Sequence, residues 1–439
     1  MSTSGPTAPD AVAVTVRTSP PPSPIDTLCL ACDGPACAFS VLPMQRRALG
    51  DRDVLVDVKY CGVCHSDVHT AAGHMAGITG PVQYPMVPGH ELAGVVAAVG
   101  AGVTAFAVGD RVGVGCLVDA CLSCARCVSG EEQKCKRGNV ATYGGKDAHG
   151  RAAQVPEGRQ TLGGYAERFV VDERFAVRVP PALPLEAAGP VCCAGITMYD
   201  PMRVAGVGPG SRVGIVGLGG LGQMGVKIAA ALGCEVTAIS RGVAKRAFAL
   251  ECGAAAFVDA TSDASLADAA GTLDLILNTV PVYHDYLRFQ ALLRPRRERR
   301  GLSGAGPPRQ VLLGLHVGLG GAFVAGSAVG AARSRVAASG IGGIRATQEV
   351  MDLCASRGIA PDVEVVGADE MHRVYETLDA GNDAGKRFVL DVASLREDAA
   401  ETRAKLGPPP KLQRVRRGFT PWRVLGEALR LLCFGHWWR

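Results

Sequence analysis

The feature that most constrains the fold of this chain is a glycine-rich turn between a predicted strand and a predicted helix. The apolar segment Arg212–Val216 leads directly into this turn, an amphipathic pattern follows over Gln223–Leu232, and a second strand is predicted over Glu235–Ser240. The turn consists of Gly217, Leu218, Gly219, Gly220, Leu221 and Gly222. Such glycines permit a tight turn and close approach of the backbone to a pyrophosphate, which the helix N-terminus binds. Between a strand and a helix of a βαβ unit, the motif therefore predicts a dinucleotide-binding site.

The residues after the second strand indicate which dinucleotide is bound. A site for NAD usually has an acidic residue there, which holds the ribose hydroxyls. This chain instead has Ser240, Arg241 and Lys245. A hydroxyl, a guanidinium and an ammonium would hold a 2′-phosphate, which an acid would repel. NADP(H) is therefore the predicted cofactor; a solvated basic start of the next helix is the alternative.

A second informative stretch is Tyr60–Glu91, in which several reactive side chains lie close together. These side chains are Cys64, Ser66, Asp67, His69 and His90. Thiolate and imidazole are preferred ligands of zinc, and a site with fewer than four protein ligands leaves a position for substrate. Cys64 and His90 are too far apart for one helix, so folding must bring them together. The alternative is a buried free cysteine and a hydrogen-bonded histidine.

Four further cysteines have the spacing C-x2-C-x2-C-x7-C. They are Cys121, Cys124, Cys127 and Cys135. The two-residue gaps turn the chain back on one ion, so the pattern predicts a closed tetrahedral zinc site that stabilises a lobe without taking part in chemistry. Cys116 lies outside the pattern and is predicted to be a spectator. The other cysteines among the 16 are scattered, which favours metal binding in a reducing compartment over a disulfide framework.

Composition is consistent with a large globular protein of two domains, since 48% of the 439 residues are hydrophobic and 20% are charged. Val311–Ala332 has no Asp, Glu, Lys or Arg and is long enough to span a bilayer. Its glycines, His316 and Ser327 favour a strand followed by a cofactor loop instead. Short strands predicted at Val54–Tyr60 and Leu92–Val99 favour a small barrel in the first half of the chain.

Several phrases resemble the zinc-dependent medium-chain alcohol dehydrogenases, and most closely the cinnamyl alcohol dehydrogenase group. These phrases are YCGVCHSDVH, YPMVPGHELAGVV, VGDRVGVGC, CAGITMYDP, VGLGGLGQMGVK, SGIGGIRATQEVMDLCA and RFVLDV. The resemblance extends from about Leu28 to Ala393. It implies an α/β plus β fold, in which a GroES-like catalytic barrel domain is split around an inserted Rossmann domain with a doubly wound parallel sheet.

The resemblance also implies domain bounds. The expected segments are a disordered extension over 1–25, a GroES-like catalytic domain over 26–193 with its zinc lobe at 116–135, an NADP-binding domain over 194–340, a return to the catalytic domain over 341–395 and a basic extension over 396–439. A basic insertion is expected at 294–308. A cytoplasmic homodimer is expected by analogy, and organellar targeting by the N-terminal extension stays open.

Position by position, the resemblance assigns roles to the reactive side chains. Cys64, His90 and Cys193, rather than Cys192, become the ligands of a catalytic zinc, and Glu91 can approach the metal. The four-cysteine pattern matches the family's structural zinc, which gives two zinc ions per chain.

The remaining roles concern protons and cofactor. Asp67 would orient His90. Ser66 and His69 match a proton relay, and His65 falls where a side chain reaches the pyrophosphate. For the second cofactor loop, Gly326-Ser327 competes with the phrase containing Ser339 and Ile341, which aligns better because RATQEVMD follows it.

The expected reaction is the zinc- and NADP(H)-dependent interconversion of aldehydes and primary alcohols, of the cinnamyl type or with broad aromatic and aliphatic specificity. The sequence does not identify the substrate. The alternative is an inactive dehydrogenase scaffold that binds nucleic acid or a membrane surface through Arg294–Arg300 and the basic tail Lys411–Arg439. The intact set of ligand and relay residues favours the enzyme, with a small-molecule substrate and no nucleic-acid partner or transmembrane segment.

Overall fold

The computed structural model describes residues 23–76, 80–151, 160–280, 284–294, 310–313, 336–381, 385–396, 405–410 and 412. Most of the predicted extensions, nearly all of the basic insertion at 294–308 and the phrase Gly326-Ser327 lie outside these residues. Within them, no helix combines the length and apolar character needed to cross a membrane.

The first half of the chain is mostly β-structure. Its strands are β1 Ile25–Cys32, β2 Phe39–Arg46, β3 Asp53–Gly62, β4 Leu92–Val99, β5 Arg111–Val114, β6 Leu117–Ala120, β7 Asn139–Ala141, β8 Arg168–Asp172 and β9 Ala176–Arg178. Its helices are α1 His65–Ala71, α2 Ala125–Val128 and α3 Leu185–Pro190. The strand prediction Leu92–Val99 is confirmed, and the predicted strand Val54–Tyr60 lies within β3.

The second half alternates strands and helices. Its helices are α4 Ile196–Ala205, α5 Gly220–Ala231, α6 Arg246–Glu251, α7 Asp263–Asp268, α8 Ile344–Arg357 and α9 Met371–Ala380. Its strands are β10 Arg212–Val216, β11 Glu235–Ser240, β12 Ala256–Asp259, β13 Leu275–Asn278, β14 Gln310–Leu313, β15 Val336–Ser339, β16 Val363–Val366 and β17 Arg387–Asp391.

Six of these strands form one parallel sheet in the order β12-β11-β10-β13-β14-β15. The order reverses at β10, next to β13, and such a switch point is where doubly wound sheets bind ligands. The predicted parallel sheet is therefore confirmed. Its strand β14 begins the apolar segment that could have been read as a membrane span.

The last two strands return to the sheet formed by the first half of the chain. That sheet has the order β16-β17-β3-β4-β5-β9, and β8 also pairs with β3. Because β17 pairs with the end of β3, where Val389 lies opposite Gly62, the C-terminal segment reaches the start of the reactive stretch. The domain bounds given above remain predictions.

Helix α5 begins earlier than its amphipathic pattern predicted, at Gly220 rather than Gln223. The end of the glycine-rich turn is already helical, which the pattern of apolar side chains could not reveal. Gly217 has a φ of +88°, and a Cβ on Gly222 would lie 1.9 Å from the Gly217 carbonyl oxygen. Both positions therefore require glycine.

Candidate active site and metal centres

A buried cluster of four potential metal ligands lies where β3, β4 and the segment after α3 meet. Its members are Cys64, His90, Glu91 and Cys193. One ligand atom from each residue lies within 4.8 Å of all the others, and all four residues are buried. Two sulfurs, one imidazole nitrogen and one carboxylate oxygen are a donor set that fits zinc.

Asp67 holds two members of this cluster in place. Its Oδ1 lies 2.9 Å from Nδ1 of His90, and its Oδ2 accepts a hydrogen bond of 2.7 Å from the backbone N–H of Cys64. The Tyr165 hydroxyl lies 3.1 Å from the same Oδ2. With Nδ1 of His90 engaged, Nε2 faces the cluster, 3.2 Å from Sγ of Cys193. Such a carboxylate partner is typical of a metal-binding histidine.

The structure distinguishes the two adjacent cysteines. Both lie in a helical turn over Val191–Gly195, but only Cys193 joins the cluster. Cys192 packs against Gly113 and Gly115, where added Cβ atoms would come within 3.3 Å of its side chain. A one-residue step along a helical turn rotates the side chain by about 100°, so neighbours face different surroundings.

Charges within the cluster are strongly coupled. Interaction with the Cys193 thiol, and also the positive charge of Arg387, lowers the pKa of Cys64 well below its ordinary value. Burial opposes a charge on His90, but Asp67 and other neighbours outweigh it and raise its pKa. A thiolate is the form of cysteine that binds a metal, so the surroundings favour the ligand state of Cys64.

Arg387 is a functional candidate that the sequence interpretation missed. It is the first residue of β17 and is buried, and its guanidinium contacts both carboxylate oxygens of Glu91. Burial raises the pKa of Glu91 to about 7, and Arg387 opposes that shift. The same side chain would lie 3.3 Å from a Cβ on Gly220, so it connects the cluster with the glycine-rich turn.

Cys116 also lies in this region but is not one of the four clustered ligands, and its role as a spectator stays a prediction. Its thiol interacts with Cys193, and this interaction lowers the pKa of Cys116 to about 6; His90 acts in the same direction. Cys116 and Ile341 line a small cavity beside Cys192. Cys116 is close in sequence to the four-cysteine pattern but lies near the buried cluster in space, because β6 leads the chain away from that cluster before Cys121.

The predicted relay residues lie along α1, which begins at His65. Ser66 and His69 are three positions apart and therefore share one face of the helix. The rings of His65 and His69 stack with centroids 4.5 Å apart. Burial, with the neighbouring histidines His65 and His74, lowers the pKa of His69 to about 3.

The four cysteines of the second pattern also come together. One sulfur from each of Cys121, Cys124, Cys127 and Cys135 lies within 4.8 Å of the others. Leu122 has a φ of +58°, which turns the chain back between the first two cysteines. The backbone N–H groups of Cys124 and Cys121 donate to Sγ of Cys121 and Cys135, at 3.3 and 3.4 Å.

This four-cysteine lobe is attached to the start of α8. Oε2 of Glu132 accepts a hydrogen bond of 3.0 Å from the Ile344 N–H, and Arg345 donates to the Ser129 carbonyl at 2.5 Å. Glu132 therefore acts on one of the free N–H groups at the helix start, where a carboxylate is electrostatically favoured.

The predicted cofactor residues lie at the carboxyl ends of the parallel strands. A Cβ on Gly219 would meet no atom of the described residues within 4 Å. Ser240 ends β11 and is half-buried, Arg241 is exposed, and Nζ of Lys245 lies 3.4 Å from the Leu218 carbonyl oxygen. Ser339 ends β15.

Comparisons with known proteins agree with this geometry. The model of the alcohol dehydrogenase GroES-like domain matches residues 50–181, and that of the zinc-binding dehydrogenase family matches residues 220–356. The chain is 44% identical over 357 residues to NADP-dependent alcohol dehydrogenase C 1 of Mycolicibacterium smegmatis, covering 80% of this chain and 94% of the relative. It is 41% identical over 358 residues to "Probable formaldehyde dehydrogenase AdhA" of Bacillus subtilis, covering 81% and 95%.

A solved structure of a cinnamyl alcohol dehydrogenase from Sorghum bicolor matches with a TM-score of 0.72 and 37% identity, covering 85% of this chain and 99% of that one. The fold and site thus define a dehydrogenase with a GroES-like domain and a Rossmann domain. The chain belongs to the zinc-dependent medium-chain alcohol dehydrogenases, in the group similar to cinnamyl alcohol dehydrogenases.

Proposed function

We propose that this alcohol dehydrogenase interconverts aldehydes and primary alcohols with NADP(H), using zinc held by Cys64, His90 and Cys193. The observation that carries the proposal is the buried cluster of these residues with Glu91, whose ligand atoms lie within 4.8 Å of one another. A bound zinc supplies a Lewis acid for the aldehyde oxygen, and NADPH supplies the hydride. Glu91 is engaged by Arg387, which leaves three ligands for the metal and a position for substrate.

Side chains of this protein are proposed to transfer the proton that the reaction requires. Ser66 is proposed to give a proton to the former carbonyl oxygen as the alcohol forms, and to recover a proton through His69. The low pKa of His69 makes it neutral at neutral pH, so that one ring nitrogen accepts while the other donates. In alcohol oxidation the same groups act in reverse. Asp67 keeps Nε2 of His90 directed at the cluster throughout.

The preference for NADP(H) is proposed from the end of β11. Ser240, Arg241 and Lys245 offer a hydroxyl and two cations for a 2′-phosphate. Asp259, which pairs with Ser240 in register, already accepts hydrogen bonds from Gly242 N–H and from Thr261, at 2.8 and 2.7 Å, through its Oδ1. The NADP dependence in the name of the mycobacterial relative supports the same choice.

The substrate range is proposed to be cinnamyl-type or broad, covering aromatic and aliphatic aldehydes. The Sorghum structure supports the cinnamyl type, and the Bacillus relative adds formaldehyde to the aldehydes worth testing. The domain bounds 26–193, 194–340 and 341–395 and a homodimer belong to the same proposal. Sedimentation analysis of the full chain tests the dimer.

The test is NADPH consumption with a panel of aldehydes, run beside NADH and repeated after treatment with a zinc chelator. Turnover that prefers NADPH and is lost with zinc supports the proposal. A Ser240→Asp variant should reverse the cofactor preference, because the new carboxylate repels the 2′-phosphate. A folded protein with two zinc ions per chain and no turnover on any aldehyde would contradict it and favour the inactive scaffold.

A further inference from the structure

A third histidine lies against the predicted relay. After α1 the chain turns at Gly73, whose φ is +72°, and the backbone N–H of His74 donates to the His69 carbonyl oxygen at 2.9 Å. This reversal places the two imidazoles side by side. Their Nδ1 atoms are 2.9 Å apart, which is a hydrogen-bond distance.

The geometry of this contact determines what the pair can do. An Nδ1–Nδ1 hydrogen bond needs one donor and one acceptor, so at most one of these two nitrogens carries the proton between them. Burial, with neighbouring histidines, lowers the pKa of His69 to about 3. Burial also lowers the pKa of His74, against the opposing effect of Asp379. Both rings are then neutral at neutral pH and share one N–H, the arrangement that passes a proton with little movement.

His74 also lies at the outer end of the row of rings. His65 stacks on His69, and the centroids of His69 and His74 are 5.2 Å apart. His74 is half-buried and therefore reaches solvent. Among the described residues, the titratable groups that act on His74 or share its hydrogen bond are His65 and His69 on α1 and Asp379 on α9.

We propose that His74 is a positioning and relay residue that carries the proton between His69 and solvent. This inference rests on the proposed function. In alcohol oxidation, His69 gains a proton at Nε2 from the Ser66 side and releases its Nδ1 proton to Nδ1 of His74, and His74 releases its Nε2 proton to water. Only N–H and O–H bonds change, and one proton leaves for each hydride transferred to NADP⁺. Aldehyde reduction runs the same steps backwards.

The test compares His74→Gln and His74→Ala with wild type in alcohol oxidation, and follows proton release with a pH indicator during a single turnover. Proton transfer by a positioned side chain typically contributes about 10²–10⁴-fold to a reaction rate. Proton release in both variants should therefore slow by at least roughly tenfold, with little change in the KM for alcohol. Free imidazole should restore the rate of His74→Ala. A merely structural role would not give that rescue.

The matched control is His149→Gln. His149 is half-buried too, and its Nε2 lies 2.9 Å from the Gly138 carbonyl oxygen, outside the relay. This variant should release protons at the wild-type rate, and added imidazole should not change that rate. Unchanged proton release in both His74 variants, or a slow His74→Ala that imidazole does not rescue, would overturn the inference.

The two proposals fail in different ways. Wild type that turns over no alcohol contradicts the proposed function itself. Active wild type beside unaffected His74 variants contradicts only the relay. If a His74 variant does not fold, the wild-type protein still tests the relay. Because His74 already connects His69 to solvent, added imidazole or another small buffer should not accelerate proton release by wild type. A strong acceleration would contradict the relay.

Discussion

The two metal-ligand clusters of this protein are built in opposite ways. The four-cysteine cluster comes from one lobe, and its ligands lie between Cys121 and Cys135. The buried cluster draws on residues as distant as Cys64 and Cys193 and mixes sulfur, nitrogen and oxygen donors. In the first, four thiolates can close a tetrahedron. In the second, one donor is a carboxylate already paired with an arginine.

This difference explains why the four-cysteine cluster is expected to stabilise the fold and the mixed cluster to take part in catalysis. A closed set of thiolates has no position for substrate, so its metal can only stabilise the lobe that is attached to α8. In the mixed cluster, Glu91 is paired with Arg387, and we propose that this pairing leaves a position on the metal for substrate.

Replacing a ligand of the mixed cluster should have the largest effect. We expect Cys193→Ala to lower kcat/KM for aldehyde reduction by roughly 10³-fold or more, because Lewis-acid stabilisation contributes several kcal/mol. The adjacent Cys192→Ala is the matched control and should retain turnover within about threefold, although it will unfold at a lower temperature. Equal losses in both variants would show that Cys193 has no special role.

Removing the partner of Glu91 should have an intermediate effect. Arg387→Leu leaves a buried carboxylate without its cation, which typically costs about 3–5 kcal/mol of stability, and loss of such outer partners lowers activity by about 10–100-fold. The double variant Arg387→Leu/Glu91→Gln should regain part of the stability measured by chemical denaturation. Arg373→Leu, at an exposed ion pair, is the control and should lose less than about 1 kcal/mol. A double variant no more stable than the single one would contradict the pairing.

Removing one ligand from the four-cysteine cluster should lower stability far more than it lowers turnover. Cys124→Ser should lose one zinc ion per chain and unfold at a lower temperature. Its kcat/KM per folded molecule should stay within roughly threefold of wild type, since sites that share no partner act independently. Calorimetry and turnover on the same sample check this. A loss of turnover comparable with that of Cys193→Ala would remove the distinction between the clusters.

The smallest effect concerns the contact between the lobe and α8. Glu132→Gln should lower the free energy of unfolding by about 0.5–1 kcal/mol, because the helix start loses a negative charge, and should leave turnover unchanged. Glu349→Gln, on the exposed side of the same helix, should change stability less. Denaturant titrations of the two variants make the comparison, and a larger effect of Glu349→Gln would count against the cap.

Spacing along the chain predicted the local features of this molecule, and the family resemblance predicted the cluster of Cys64, His90, Glu91 and Cys193. Two other long-range contacts were missed. The four-cysteine cluster and the glycine-rich turn depend on spacing within a few residues, so they were predictable. The contact of Arg387 with Glu91 joins positions 296 residues apart and depends on the pairing of β17 with β3. No spacing rule contains that register. The placement of Cys116 beside Cys193 has the same cause.

The histidine pair was missed for a different reason. His69 was assigned through the family resemblance, whereas His74 lies beyond the end of α1. Its position depends on the left-handed turn at Gly73, which a sequence pattern does not fix. A histidine five residues after another is not on the same face of a continuing helix, so only the turn brings the two rings together.

The role of the mixed cluster is tested most directly by measuring zinc content and NADPH-dependent aldehyde reduction on the same samples of wild type and Cys64→Ala. We predict two zinc ions per chain in wild type and one in the variant, which stays folded and loses turnover. A Cys64→Ala protein that retains both zinc ions, or that has one and reduces aldehydes at the wild-type rate, would contradict a catalytic zinc at this cluster.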